Sequence, residues 1–299
     1  MIVDTNALAI ITVTYSPGSY LRDFLDSIPA ATTRPVRVIM ADNGSRDGAP
    51  EAAARDYECA EFLPTGGNVG YGHAINIAAR HLQEARAAGE VDPRYLLVVN
   101  PDVVFSPGSI DKLVETAATW QGEVGSVGPY IKEPDGSAYP SARAVPTLGL
   151  GIGHALLGGV WKNNPWSRAY RNDADMATAH TAGWLSGSCL LLNWEAFDAI
   201  GGFDERYFMY MEDVDLGDRL GRAGYDNVFE PAAIITHAKG HVADRDPGKL
   251  LPAHHESAYR FQADRYPKIY HLPLRLALRT GLKLREVLAV ARARRSATR

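Results

Sequence analysis

The chain has 299 residues, of which 46% are hydrophobic and 22% charged. That is ordinary globular composition, and it excludes a disordered or fibrous protein. The net charge of −4 hides an asymmetry, because residues 268–299 carry nine Lys/Arg against the single acid Glu286, a tail of +8 on a body of −12. A basic tail of this kind points to an anionic partner, either nucleic acid or a membrane surface. The two cysteines, Cys59 and Cys189, lack metal-type spacing and cannot build a disulfide framework, which fits a reducing cytosol. Residues 1–6 lead straight into a strand-like segment, so no signal peptide is expected. The uncharged stretch 148–161 contains five glycines and a histidine. At about 14 residues it falls short of the roughly 20 that span a bilayer, and a buried loop or an interfacial segment is expected there.

Ala9 to Tyr15 reads as a buried strand, and Tyr20 to Ile28 has helical spacing. Val36 to Ala41 is a second strand, stopped by the turn Asp42-Asn43-Gly44-Ser45, with a helix following to about Tyr57. Glu61 to Leu63 is a short third strand, then comes a glycine-rich turn and a long helix over 72–88. Tyr95 to Val99 is a fourth strand. Strands alternating with helices imply βαβ units, a parallel sheet with both faces covered and a nucleotide-binding half domain. Beyond it, a helix is expected over 109–120 and a short strand over 126–128, followed by an irregular stretch over 130–180. A stretch of that length inside a domain is usually functional. Strands at 189–192 and 233–236 and helices over 212–223, 254–266 and 273–295 complete the pattern.

Polar residues gather at the ends of these strands, where open parallel sheets bind ligands. Asp42, in Asp42-Asn43-Gly44-Ser45, can accept from a nucleotide base or ribose, or it can simply close an Asx turn. Gly66 to Gly72 leads into a helix and offers backbone N–H groups suited to phosphate, or it is a flexible loop. Neither G-x-G-x-x-G nor the P-loop pattern is present there. Asn100-Pro101-Asp102 places one hard oxygen ligand at a strand end, where a divalent cation can bridge two phosphates. Tyr210-Met211-Glu212-Asp213-Val214-Asp215 puts acids at a helix start beside an apolar stretch. The helix dipole favours acids at that position, and one of them can also serve as a general base. Asp215 and Asp218 are expected to pair with Arg219 or Arg222. His237 ends a strand, where an imidazole can complete a metal shell with Asp102, and His241 follows at i+4.

In this order and spacing, these motifs resemble the inverting GT-A glycosyltransferases of family 2. The likeness rests on Val13-Thr14-Tyr15, Asp42 to Ser45, Gly67-Asn68-Val69-Gly70, Asn100-Pro101-Asp102 and Glu212-Asp213. Tyr139 to Arg143, Gly183 to Cys189 and Gly202 to Asp215 look like the rhamnosyltransferases of that family, as do Asn164-Pro165-Trp166 and His254-His255. The nearest of these are the actinobacterial enzymes acting on polyprenyl-diphospho-N-acetylglucosamine.

The resemblance implies a GT-A domain over about 1–245, with a nucleotide-binding half to about residue 100 and an acceptor-binding half after it. A helical extension over 246–299 would follow. It implies donor contacts from Thr14, Tyr15, Asp42, Asn43, Gly67, Asn68, Gly70, Asn100 and Asp102. Asp102 matches the last aspartate of a D-x-D motif that holds Mg²⁺ or Mn²⁺, with His237 as a second ligand and Asn100 in place of the first aspartate. Asp213 matches the catalytic base, with Glu212 beside it. Trp184, Ser186, Gly187 and Ser188 fall where the acceptor packs. The implied reaction is inverting transfer of L-rhamnose from dTDP-L-rhamnose to a lipid-linked N-acetylglucosamine in cell-wall linker synthesis. The alternative is another nucleotide sugar, such as a second deoxyhexose or galactofuranose, or another glycan acceptor.

With a lipid-linked acceptor, the leucines and basic residues of 273–295 read as a membrane-surface helix. Location at the inner face of the plasma membrane is then expected. A helix docked on the acidic body is the other reading. A nucleotidyltransferase is disfavoured because no Lys or Arg follows Val13 before Arg22. The missing glycine fingerprint argues against a dinucleotide oxidoreductase, and the acidic body against a nucleic-acid binder.

Overall fold

A computed structural model describes residues 6–148, 176–238 and 247–297. The stretch 149–161, Asn164-Pro165-Trp166 and His241 therefore lie outside the described residues.

The chain runs β1 (Ala7–Thr14), α1 (Tyr20–Ala31), β2 (Val36–Asp42), α2 (Ala49–Asp56), β3 (Ala60–Pro64) and α3 (Tyr71–His81). Then come α4 (Gln83–Ala87), β4 (Val91–Val99), β5 (Val103–Phe105), α5 (Ser109–Thr119) and β6 (Val124–Lys132). Short strands β7 (Ala138–Tyr139), β8 (Ala142–Arg143), β9 (His180–Ala182) and β10 (Trp184–Leu185) precede β11 (Cys189–Asn193). The chain continues through α6 (Trp194–Ala199), α7 (Glu212–Arg222), β12 (Asp226–His237), α8 (Pro247–Arg265), a 3₁₀ turn (Ile269–His271) and α9 (Leu272–Ala297).

The main sheet has the order β3-β2-β1-β4-β11-β6-β12-β5. Its first four strands are parallel, as the βαβ pattern requires. β11 enters antiparallel between β4 and β6, and β12 runs parallel to β6. Period-2 alternation decides which face each residue supplies. From β1, Leu8 and Ile10 pack against Leu21, Phe24 and Leu25 of α1 and Leu113 of α5. Ala9 and Ile11 pack on the other face with Ala74, Ile75 and Ala78 of α3, Trp194 of α6 and Leu216 of α7. Burying each such Leu or Ile contributes about 1.5–3 kcal/mol.

Three expectations need correction. The helix expected over 72–88 is two helices, α3 and α4, which meet at Leu82. The short strand at 126–128 is the nine-residue β6. It lies inside the sheet, and Gly125, Gly128 and Pro129 hid its pattern. The strand at 233–236 is the last part of the twelve-residue β12, whose register shifts between Glu230 and Ile234. A proline and two alanines fill that shift, so no alternation reveals the strand.

α8 packs on the body. Its Phe261 is buried with Tyr207 and Val214, and Ser257 Oγ donates to the carbonyl of Met209 at 2.9 Å. Arg265 reaches Asp218 at 2.6 Å, and Asp264 pairs with Arg206 at 2.6 Å. No helix among the described residues is long and apolar enough to cross a membrane.

Candidate active site

The strand order turns around between β1 and β4, and the polar residues of the sequence collect at that end of the sheet. A topological switch point of this kind is where open sheets bind ligands.

On one side lies the turn after β2. Asp42 is buried, and its Oδ1 accepts from Thr14 Oγ1 at 2.7 Å and from Ser45 Oγ. Its Oδ2 accepts the amides of Gly44 at 3.0 Å and Ser45 at 2.9 Å. Four donors fill the acceptor capacity of a carboxylate, so the Asx turn is formed and a base reaching Asp42 must displace one of them. Thr14 is fully buried behind Asp42, whereas Tyr15 is 47% exposed at the mouth. Asn43 Nδ2 donates to the Gly70 carbonyl at 3.1 Å, and Thr65 Oγ1 lies 2.8 Å from the Asp42 and Gly67 carbonyls and Asn43 Oδ1, with one proton to give among them. The glycine-rich turn is therefore braced from inside. Gly70 has φ +94°, and a Cβ there would lie 2.5 Å from the Phe208 carbonyl oxygen. The adjoining amide of Tyr71 donates to that same oxygen at 3.1 Å.

On the other side, β4 ends at Val99 and Asn100 follows it. The turn to β5 places Val103 opposite His237 in the antiparallel ladder. That register sets His237 Nε2 3.1 Å from Asp102 Oδ1, with the Asn100 amide 3.4 Å from the same nitrogen. Among the described residues no group of three His, Cys, Asp or Glu forms a metal cluster. One carboxylate oxygen and one imidazole nitrogen are nevertheless a donor pair that fits a divalent cation whose other ligands are phosphate oxygens.

Between the two sides stands the N-terminus of α7. Tyr210 and Met211 both adopt positive φ, +67° and +68°, which is costly for residues with a Cβ. The left-handed pair turns the chain sharply, so that Glu212 and Asp213 open the helix. Asp213 Oδ2 accepts from the amide of Gly187 at 3.0 Å, and Oδ1 from the amide of Val214 at 2.8 Å. Glu212 is 9% exposed, and its Oε2 meets no hydrogen-bond donor. Burial first, and the Asp213 charge second, push Glu212 above the carboxylate range. Burial also raises Asp213, against the two amides and the charge of Arg143. Asp215 and Asp218 turn away and pair with Arg219 at 2.6 Å and Arg222 at 2.7 Å, as their spacing predicts.

The expected acceptor segment meets the acids directly. Gly187 caps Asp213, and Ser186 Oγ and Ser188 Oγ lie 3.2 Å apart beside it. Trp184 Nε1 donates to the Ala144 carbonyl at 3.1 Å. Two residues outside the sequence-derived set join them. Tyr71 donates its hydroxyl to the Gly187 carbonyl at 2.7 Å. Arg143 lies over the Tyr139 and Trp184 rings, at 5.4 and 5.6 Å. Both lie in motifs the sequence singles out, Gly66 to Gly72 and Tyr139 to Arg143, but their site contacts depend on segments far along the chain.

The sequence model of the family described as Glycosyl transferase family 2 matches residues 9–201. N-acetylglucosaminyl-diphospho-decaprenol L-rhamnosyltransferase of Mycobacterium tuberculosis (strain ATCC 25618 / H37Rv) is 52% identical over 289 residues, covering 96% of this chain and 94% of that protein. Rhamnosyltransferase WbbL of Escherichia coli (strain K12) is 25% identical over 273 residues, covering 88% and 98%. The solved mannosyltransferase PcManGT from Pyrobaculum calidifontis, in complex with GDP-Man and Mn²⁺, superposes with TM-score 0.58 at 17% identity. That superposition covers 96% of this chain and 73% of that one, and it carries the GT-A fold.

Proposed function

Since the chain belongs to glycosyl transferase family 2, we propose that it transfers L-rhamnose from dTDP-L-rhamnose to N-acetylglucosaminyl-diphospho-polyprenol with inversion at the anomeric carbon. The observation that carries this reading is 52% identity running through 96% of this chain and 94% of the mycobacterial rhamnosyltransferase.

In this reading Asp213 is the base. Its oxygens face the loop of Gly187 and Ser188, and it takes the proton from the acceptor hydroxyl. The acceptor oxygen forms the new bond to the anomeric carbon. The bond to the diphosphate breaks on the opposite face, and its electron pair leaves with dTDP. One base suffices for a single displacement, and its usual contribution is about 10²–10⁴-fold. Glu212, buried and without a donor on Oε2, holds its proton more tightly than Asp213, whose oxygens accept two backbone amides. Asp102 and His237 would hold Mg²⁺ or Mn²⁺, with Asn100 alongside. The bound cation supplies charge stabilisation to the leaving group. The amides of Gly67, Asn68 and Val69 add hydrogen-bond donors, in a turn braced by Asn43 at the Gly70 carbonyl and by Asn68 Oδ1, which accepts the Gly70 amide at 3.3 Å. Tyr15 borders the donor, and Asp42 acts on it through the turn that it closes. No contact with nucleic acid is part of this reading.

The basic tail belongs to the same proposal. Leu274, Leu278 and Leu282 are half-buried on a helix that packs against α8. Leu272, Leu276, Leu284 and Val287 are exposed at 43, 56, 62 and 55%. By helical spacing they share one side of α9, with Arg279 at its edge and Lys283 within it. Exposed leucines with cations among them suit the surface of an anionic membrane, which supports a location at the inner face, beside a lipid-linked acceptor.

A donor screen tests the reaction. Transfer to a lipid-linked N-acetylglucosamine is measured with dTDP-rhamnose, UDP-galactofuranose and UDP-glucose, with and without EDTA. Transfer from dTDP-rhamnose that EDTA abolishes is expected. Transfer from another donor alone overturns the donor, and activity in EDTA removes the cation.

A further inference from the structure

The site contains a cation that the transfer chemistry outlined above does not use. Arg143 belongs to β8 and pairs with Trp184 of β10 in an antiparallel ladder. Its guanidinium lies over the rings of Tyr139 and Trp184 at 5.4 and 5.6 Å, and its Nε donates to the Pro140 carbonyl at 2.9 Å. Among the described residues no carboxylate is paired with it. The two terminal nitrogens of a stacked, half-buried guanidinium are thus held in place and unspent. Stacking fixes the planar fork before any ligand arrives, so little freedom remains to be lost on binding.

Its position assigns it to the acceptor side of the base. β10 runs on to Ser186 and to Gly187, whose amide caps Asp213. Arg143 is close enough to bear electrostatically on Asp213. The donor diphosphate is assigned to Asp102 and His237, on another edge of the site.

An acceptor that carries a diphosphate next to its sugar must bring negative charge toward Glu212 and Asp213. A cation with two terminal NH₂ groups beside the acceptor loop answers that repulsion. Resting on the acceptor named above, we infer that Arg143 binds the acceptor diphosphate and thereby presents the sugar hydroxyl to Asp213. Arginine is the side chain suited to this task, because its parallel N–H groups match phosphate oxygens in pairs.

Steady-state kinetics of the full chain test it, with R143Q and R143K and two acceptors. One acceptor is a lipid-linked diphospho-N-acetylglucosamine, and the other is a neutral alkyl glycoside of N-acetylglucosamine. R143Q is expected to raise KM for the diphosphate acceptor by about 10- to 100-fold, the usual effect of losing hydrogen bonds to a charged group. The donor KM should stay within about twofold, R143K should lie between, and the neutral acceptor should lose little. An equal loss on both acceptors overturns the inference, because Arg143 would then only tune Asp213 or hold the loop. So does a shift of the acid limb of the pH profile with acceptor KM unchanged, or a rise confined to the donor KM. If the wild type does not use the diphosphate acceptor at all, the acceptor assignment fails first and takes Arg143 with it. If the wild type uses it and R143Q does so equally well, Arg143 alone is overturned.

Discussion

Glu212 and Asp213 are neighbours in sequence, yet their carboxyls meet different surroundings. Asp213 accepts two backbone amides, whereas one oxygen of Glu212 meets no donor. Asp213→Asn is expected to lower kcat by about 10²–10⁴-fold, with donor affinity measured by titration little changed. Activity requires ionised Asp213, so kcat should climb as pH rises through its raised pKa. Stability should run the other way. A carboxyl whose folded pKa exceeds its unfolded value stabilises fully below the unfolded pKa, and that contribution is lost as pH rises through the folded one. The contribution of this pair should therefore decline above roughly pH 4.5, opposite to Glu61, Asp92, Asp204 and Glu205, whose lowered pKa values favour the folded state as pH rises. Glu212→Gln should flatten that decline in thermal melts taken at several pH values, and an unchanged slope would remove Glu212 as its source.

At the scale of elements, the segment 203–211 joins the two halves of the site. It carries positive φ at Tyr210 and Met211, each a strain of about 1–3 kcal/mol. Hydrogen bonds from both sides hold it there. Tyr71 of α3 donates its amide to Phe208, and Ser257 of α8 its hydroxyl to Met209. Gly70 is where the glycine turn touches this segment, and nothing larger fits. Gly70→Ala should cost at least about 2 kcal/mol in urea unfolding, from overlap added to strain, and should weaken donor binding. Gly44→Ala is the control, because it also has positive φ but finds nothing within 4 Å. Equal losses in the two variants would mean that the contact with Phe208 does not matter.

At the scale of the molecule, opposite charges are segregated along the chain, and α8 lies between them. α8 is tied to the acidic body by Phe261, Asp264 and Arg265. α9 packs against α8 by one leucine row and leaves the other exposed. Deleting 268–299 should abolish sedimentation with anionic liposomes, while transfer to a water-soluble acceptor persists. Each basic residue near anionic lipid contributes about 1 kcal/mol. Binding by the full chain should therefore weaken steeply with salt, and association unchanged by the deletion would remove the membrane role.

The sequence alone determined the βαβ half, its strand-end residues, the acid pair at a helix start and the split of charge. Each follows from local spacing, which a linear pattern records. The tertiary structure decided which of those residues meet. Asp102 and His237 are brought together by the pairing of β5 with β12. Asp42 is turned inward by Thr14 and Ser45, which spend its lone pairs on the fold. Tyr71 and Arg143 enter the site only because distant loops pack on them. Contacts of that kind depend on strand register and on side-chain packing across the sheet end. Neither leaves a periodic trace in the order of residues.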